Sequence, residues 1–225
     1  MVKQFTLPLS LNDVDTHYCA GCGHGILHRV VTSVIDRLGI REKTVGIAPV
    51  GCAVIAYDYW NFDVSEAAHG RALAVATGIK RVRPDLFVFT YQGDGDLASI
   101  GLAETIHAAN RGEKLTCIFV NNACYGMTGG QMAPTTVIGQ KTTTTPLGRN
   151  PHCGEGWPLK VSELLAQLPG VCFVARTAVS CPQAVMETEK QIEKACINQI
   201  EKRGFSIVEV LSPCPTIWQK QPPDA

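Results

Sequence analysis

LFVFTYQGDGDLASIGLAETIHAANRGEKLTCIFVNN, residues 86–122, decides the fold. LFVFTYQ (86–92) is a β-rich apolar run that breaks at Gly93-Asp94-Gly95. ASIGLAETIHAANRG (98–112) has helical character, and LTCIFVNN (115–122) is a second apolar run that ends on Asn121-Asn122. A strand, a helix and a strand in that order make one crossover, which sets the two strands parallel and side by side. The GDG turn and the NN pair therefore emerge at the same sheet edge.

The alternation continues in both directions. Upstream, GILHRVVTSVIDRLG (25–39) has helical spacing and stops at Gly39, TVGIAPVGC (44–52) is a short strand breaking into a Pro/Gly turn, and HGRALAVATGIKRVRP (69–84) is a helix stopped by Pro84. Downstream come a short helix (161–168), a strand (170–179), an amphipathic helix (182–204) and a last strand, FSIVEVL (205–211), running into SPCP. Residues 125–158 are dense in Gly, Thr and Pro without period, which predicts a long loop that is functional or ordered by a ligand or partner. The expected class is α/β, a mostly parallel sheet with helices on both faces, forming one domain over 1–225. Such sheets bind ligands at the carboxyl ends of their strands. Gly51-Cys52, Gly93-Asp94-Gly95, Asn121-Asn122 and Ser212-Pro213-Cys214 each close a different predicted strand.

Composition narrows the function. The 225 residues are 45% hydrophobic and 18% charged, and 20 basic residues balance 20 acidic ones. That balance argues against a nucleic-acid surface or a polybasic membrane patch. The N-terminal stretch has no signal-peptide core, and no uninterrupted apolar run is long enough to span a membrane. A cytoplasmic protein is expected, in which ten cysteines are reduced thiols serving as metal or cluster ligands, reactive groups or packing residues. The low charge hints at surface hidden against partners.

Glycines let backbone approach a phosphate, and the helix that follows aims free N–H groups at anions. Asp94 would give Mg²⁺ a hard oxygen, Asn122 a second, and the Cys124 backbone carbonyl a third, with diphosphate oxygens completing the octahedron. A lone GDG is usually only a turn. GDG followed one crossover later by NN, each after an apolar strand, resembles the motif of thiamine-diphosphate-dependent enzymes. The resemblance implies Asp94, Asn122 and the Cys124 carbonyl as Mg²⁺ ligands and Gly95, Asp96, Gly126 and Met127 as cofactor contacts.

Cys19-Ala20-Gly21-Cys22 is the one CxxC. A structural zinc ribbon would bring a second CxxC, and a thioredoxin-like pair would follow a strand, which LNDVDTHY does not resemble. Cys52 and Cys214 sit in turns at strand ends, where backbone can fold around a cluster. Cys117, Cys172 and Cys196 read as buried packing thiols, Cys153 and Cys181 as loop residues without a partner pattern, and Cys124 as a neighbour of the metal.

HYCAGCGHG (17–25), PVGC (49–52), HGRALAVATGIK (69–80), GDGDLASIG (93–101), NNACYGMTGGQMAPTT (121–136) and LSPCPT (211–216) occur in that order. Together they resemble the thiamine-diphosphate-binding beta subunits of 2-oxoacid:ferredoxin oxidoreductases, over nearly the whole chain. That resemblance implies the thiamine-diphosphate-binding fold, with a cluster-binding N-terminal segment and C-terminal turn. It implies Cys19, Cys22, Cys52 and Cys214 as 4Fe-4S ligands, and Val50, Gly51, Cys52, Ala53 and His69 as cofactor contacts, with His69 also the catalytic candidate. It further implies oxidative decarboxylation of a 2-oxoacid with coenzyme A, electrons leaving through the cluster to ferredoxin, and an alpha subunit that supplies the glutamate activating the cofactor. Glu66 and Glu104 are the candidates for that glutamate within this chain, but neither lies in a matching motif, so the isolated chain is expected to bind cofactor weakly and to be inactive. The loop sequence resembles subunits acting on 2-oxoglutarate or branched-chain 2-oxoacids. His24 is balanced between a structural and a functional role, His107 reads as structural, Arg71 as a phosphate or carboxylate contact or a surface residue, and Thr128 and Gln131 as active-site lining. Two rival readings remain: a non-redox thiamine-dependent decarboxylase subunit with incidental cysteines, and a cysteine-bound metal or cluster module that only binds partners.

Overall fold

Five short apolar runs and one polar edge segment form six strands among the described residues, and every pairing between them is parallel. The computed structural model describes residues 6–225. The strands are β1 (Thr44–Ala48), β2 (Asp63–Glu66), β3 (Phe87–Gly93), β4 (Thr116–Asn121), β5 (Val171–Ala178) and β6 (Phe205–Leu211), in the spatial order β2-β1-β3-β4-β6-β5. β1, β3, β4 and β6 are buried along nearly their whole length. Strands covered on both faces carry continuous apolar runs, which is why these four were readable in the sequence. β2 was not expected. It is a four-residue edge strand, half exposed, too short for an alternation to register.

Side chains of successive strand residues point to opposite faces. Phe87, Phe89 and Tyr91 of β3 join Val208 and Val210 beneath α1 (Gly23–Leu38) and α5 (Pro182–Ile200). Val88 of β3 joins Cys117 and Phe119 beneath α2 (Ala72–Val82), α3 (Leu102–Asn110) and α4 (Val161–Leu165). A final short turn, α6 (Pro215–Trp218), follows β6. The chain leaves β1 toward β2 on one side and returns to β3 on the other, so the strand order reverses at the β1–β3 crevice, where doubly wound sheets hold their ligands. Register levels the ends: Gly93 pairs with Val120, and Asn121 with Leu211.

Two expectations are corrected. The helix read over 98–112 is shorter, because the turn after Gly95 makes one wide π-turn over Asp96–Ile100 before α3 begins at Leu102. Gly101 sits at that junction, where a Cβ would lie 2.6 Å from both the Asp96 and Gly70 carbonyl oxygens. Cys172 is exposed rather than packed, on the edge strand β5 beside a register shift between Val171 and Phe173. The long loop is ordered from within. Arg149, 4% exposed, donates to the carbonyls of Ala133 (3.3 Å), Pro134 (2.8 Å), Thr136 (2.6 Å), Glu155 (3.2 Å), Gly156 (3.0 Å) and Trp157 (2.8 Å). One guanidinium fork thus ties together both limbs of a segment that lacks secondary structure to satisfy its backbone.

Candidate active site

The carboxyl ends of β1, β3 and β4 open into one cavity, lined by the 49–53 turn, His69, the 93–96 turn, Asn122 and the 124–128 segment. Val50, Gly51, Cys52, Ala53, His69, Asp94, Gly95, Asp96, Asn122, Cys124, Gly126 and Met127 all belong to that lining. Residues far apart in sequence meet there because the crossover β3-α3-β4 sets two strand ends side by side and β1 adjoins β3.

Asp94 follows β3 directly and is 3% exposed. Its Oδ1 accepts the Gly95 N–H (2.9 Å), and its Oδ2 accepts the Cys124 N–H (3.1 Å) and the Thr135 hydroxyl (2.8 Å). Burial outweighs these donors and pushes the carboxyl up to about 7, and no cationic side chain stands against it among the described residues. A buried carboxylate with donors but no counter-charge suits a hard divalent cation, so the donor set fits Mg²⁺. Asn122 turns its Oδ1 to the Cys124 N–H (3.2 Å), while its carbonyl accepts the Trp218 indole N–H (3.1 Å). Between them Ala123 takes a left-handed conformation, φ 60°, secured by its N–H to Asn121 Oδ1 (3.0 Å) and by Thr136 donating to its carbonyl (2.6 Å). That kink delivers the Cys124 N–H to Asp94. Thr135 and Thr136 close the NNACYGMTGGQMAPTT stretch, but nothing in the sequence signals their part in holding Asp94 and Ala123.

Asp96 has a bracing part. It accepts from His69 Nδ1 (2.7 Å), the Gly70 N–H (2.9 Å), Gln92 Nε2 (2.7 Å) and the Val50 N–H (3.3 Å). One carboxylate thereby joins the turn after β1, the entry to α2 and β3, and orients His69 in the cavity wall. Gly95 is required by a neighbour: a Cβ there would lie 2.2 Å from the Tyr125 ring. Thr128 lines the cavity and shares two hydrogen bonds with Gln131, which lies behind it. Arg71 pairs with Glu104 (2.9 Å), and Arg71, Glu104, Glu66 and His107 all lie outside the lining.

The cysteines gather at the same edge. A Cβ on Gly126 would sit 3.3 Å from Cys52 Sγ and 3.7 Å from Cys214 Sγ, so the missing side chain leaves a cradle between the two sulfurs. The His24 backbone N–H hydrogen-bonds Cys22 Sγ, and the Ile217 N–H hydrogen-bonds Cys214 Sγ. Burial raises Cys22 to about 11 and Cys52 to about 12, with the neighbouring cysteines adding to both shifts. A hydrogen bond from the buried Cys124 thiol draws Cys214 down to about 7. No group of three or more His, Cys, Asp or Glu among the described residues is gathered tightly enough to hold a single metal ion. A cubane spreads its ligand sulfurs wider than one ion does, and backbone N–H groups aimed at sulfurs suit it. Cys117 and Cys196 are buried in the core, and Cys153 and Cys181 are exposed away from the cavity.

Behind the cavity wall lies a polar seam that the sequence did not announce. Trp60 Nε1–H donates to His28 Nδ1 (2.7 Å), and His28 Nε2 meets Tyr18 Oη (2.7 Å). His24 Nδ1 meets Tyr91 Oη (2.8 Å), and the Tyr18 ring stacks on His24 at 4.8 Å. Burial holds His24 down at about 4, with His17 acting in the same direction, and holds His28 well below its ordinary range.

A parallel sheet whose crevice carries an acidic turn and an amide on neighbouring strand ends defines an α/β protein with a polar ligand cavity at the carboxyl ends of its strands. The sequence matches the family described as thiamine pyrophosphate enzyme, C-terminal TPP binding domain, over residues 50–210. It is 55% identical over 201 residues to the ketoisovalerate oxidoreductase subunit VorA of Methanothermobacter thermautotrophicus, covering 89% of this chain and 42% of that subunit. It is 40% identical over 209 residues to the 2-oxoglutarate synthase subunit KorB of Archaeoglobus fulgidus, covering 93% of this chain and 73% of that subunit. Among solved structures, a 2-oxoglutarate:ferredoxin oxidoreductase from Magnetococcus marinus with 2-oxoglutarate, coenzyme A and succinyl-CoA bound superposes with TM-score 0.78 and 29% identity, over 96% of this chain and 70% of that one. The chain belongs to the thiamine-diphosphate-binding subunits of the 2-oxoacid:ferredoxin oxidoreductases. It spans less than half the length of the VorA subunit it matches. No helix among the described residues is long and apolar enough to cross a membrane.

Proposed function

We propose that this chain is the cofactor-binding part of a cytoplasmic 2-oxoacid:ferredoxin oxidoreductase, which oxidatively decarboxylates a 2-oxoacid with coenzyme A to acyl-CoA and CO₂. The observation that carries this reading is the single cavity in which Asp94 and Asn122 adjoin Cys52 and Cys124. Asp94, Asn122 and the Cys124 carbonyl hold Mg²⁺; Val50, Gly51, Cys52, Ala53, Gly95, Asp96, Gly126 and Met127 hold the diphosphate cofactor; Cys19, Cys22, Cys52 and Cys214 hold a 4Fe-4S cluster. Bound thiamine diphosphate supplies an electron sink for decarboxylation, and the cluster accepts electrons singly. The protein's own part is positioning. Asp96 fixes His69 in the wall, Ala123 and Thr135 set the metal-facing carboxylate, and Gly126 leaves the sulfurs room. An alpha subunit supplies the activating glutamate, since Glu66 and Glu104 stand outside the cavity, and ferredoxin takes the electrons.

The lining bears on the substrate. It contains no lysine or arginine. A second substrate carboxylate buried there would find no counter-charge from this chain. A branched-chain 2-oxoacid, whose far end is apolar, suits the lining better than 2-oxoglutarate, and the likeness to a ketoisovalerate oxidoreductase subunit agrees. The test is anaerobic purification of the assembled enzyme, with iron and sulfide analysis, and dye reduction across 2-oxoisovalerate, 2-oxoglutarate and pyruvate. Four irons attributable to this chain and the highest kcat/KM on 2-oxoisovalerate are expected. An iron-free, dye-inactive decarboxylase would overturn the reading in favour of the non-redox alternative.

A further inference from the structure

Among the polar side chains of the cavity wall, His24 has no part in the metal, diphosphate or cluster sets. It lies in the first turn of α1 and is 5% exposed, yet it lines the cavity with Cys52 and Asp94. Its Nδ1 is paired to Tyr91 Oη at 2.8 Å, and its Nε2 has no protein partner among the described residues. It is absent from the buried polar atoms left without a partner, so the unpaired nitrogen faces the open side, which is the cavity.

Tyr91 determines which nitrogen carries the proton. The Tyr91 ring is wholly buried, and His24 Nδ1 is the one hydrogen-bond partner of its hydroxyl among the described residues. If Nδ1–H donated to the phenol, the Tyr91 hydroxyl hydrogen would be buried unpaired, at a cost of about 1–3 kcal/mol. If Tyr91 donates to Nδ1, both groups are satisfied and the imidazole proton sits on Nε2.

We propose that His24 is a further catalytic residue: an Nε2–H donor, fixed by Tyr91, that binds the keto oxygen of the 2-oxoacid and stabilises the negative charge that builds on it. The proton stays on Nε2 throughout, so the donor is preorganised and no proton acceptor is needed. Tyr91 is a positioning residue that acts through His24. The inference rests on the reading of the cavity as the thiamine diphosphate site.

Two measurements test it. In the chain labelled with ¹³C,¹⁵N-histidine, without cofactor, His24 should show an unprotonated Nδ1 and a protonated Nε2, and Tyr91→Phe should turn this into a tautomer mixture. A protonated Nδ1 in the unsubstituted chain would overturn the assignment. In the assembled enzyme, His24→Leu should lower kcat by about a hundredfold or more, the usual loss for a deleted oxyanion donor. Its affinity for thiamine diphosphate should stay within about twofold of the parent's, and His24→Gln, which keeps an N–H, should recover at least about tenfold of the lost rate. Unchanged kcat in His24→Leu, or cofactor affinity falling in step with kcat, would overturn the proposal. If the unsubstituted enzyme bound no thiamine diphosphate, the reading of the cavity would fail instead, while the tautomer result would stand.

Discussion

His28 should make the fold acid-sensitive by one proton. The ring is 1% exposed, with Trp60 Nε1–H donating to Nδ1 and Nε2 meeting Tyr18 Oη. An indole N–H can only donate, so Nδ1 must accept and the neutral ring carries its proton on Nε2. Protonation would set Nδ1–H against the Trp60 N–H. The groups around it offer no compensation: Tyr18, Tyr59, Trp60 and Tyr91 are neutral, while His24 and His17 repel a positive charge. The folded-state value therefore lies well below the ordinary value near 6.5, which the unfolded chain keeps. The stability this contributes is fully present above 6.5 and is lost as pH falls toward the folded-state value. One proton taken up by the unfolded chain alone costs about 2 kcal/mol between pH 7 and pH 5. Urea denaturation of the chain and of His28→Gln at pH 7 and pH 5 isolates the effect, because every other ionisable group is the same in both proteins. The stability advantage of the parent chain should shrink by about 2 kcal/mol on acidification. A difference constant within about 0.5 kcal/mol would refute the tautomer argument, since it would mean that the folded protein holds His28 charged as readily as water does.

Other outcomes follow from the geometry. Serine at Cys19, Cys22, Cys52 or Cys214 should abolish or cripple cluster incorporation, whereas serine at the exposed Cys153, Cys172 or Cys181 should leave iron content unchanged on anaerobic analysis. Arg149→Met should leave several carbonyls of the 133–157 loop without donors, lowering stability by about 3 kcal/mol and exposing that loop to limited proteolysis. Gly95→Ala should force the Tyr125 ring out of contact, costing about 1–3 kcal/mol in denaturant unfolding and weakening diphosphate binding together.

The sheet was legible because its strands are buried on both faces and its helices keep their period. Residues 86–122 alone placed Asp94 and Asn122 at one edge, and the structure puts them there. The edges were less legible. β2 is too short to show alternation, and β5, half exposed, carried Cys172 outward where an apolar run suggested packing. The long loop read as irregular because its order comes from one arginine reaching six carbonyls, and side-chain-to-backbone bonds leave no periodic trace. Within the site, motif positions such as Gly95 and Asp96 were found, but not what holds them. Tyr125 explains Gly95, and Asp96 binds four protein donors. Thr135, Tyr91 and Trp60 act through contacts across 32 to 67 residues of chain, which spacing cannot express.

Under the proposed function, Asp94 at the end of β3 anchors a metal-bound diphosphate beside the cysteine set. The most direct test is thiamine diphosphate binding with Mg²⁺, followed by calorimetry on the assembled enzyme carrying Asp94→Ala and on its parent. Loss of at least about a hundredfold in affinity, with the fold and the iron content retained, is the predicted result. Binding by Asp94→Ala that equals the parent's would contradict the account.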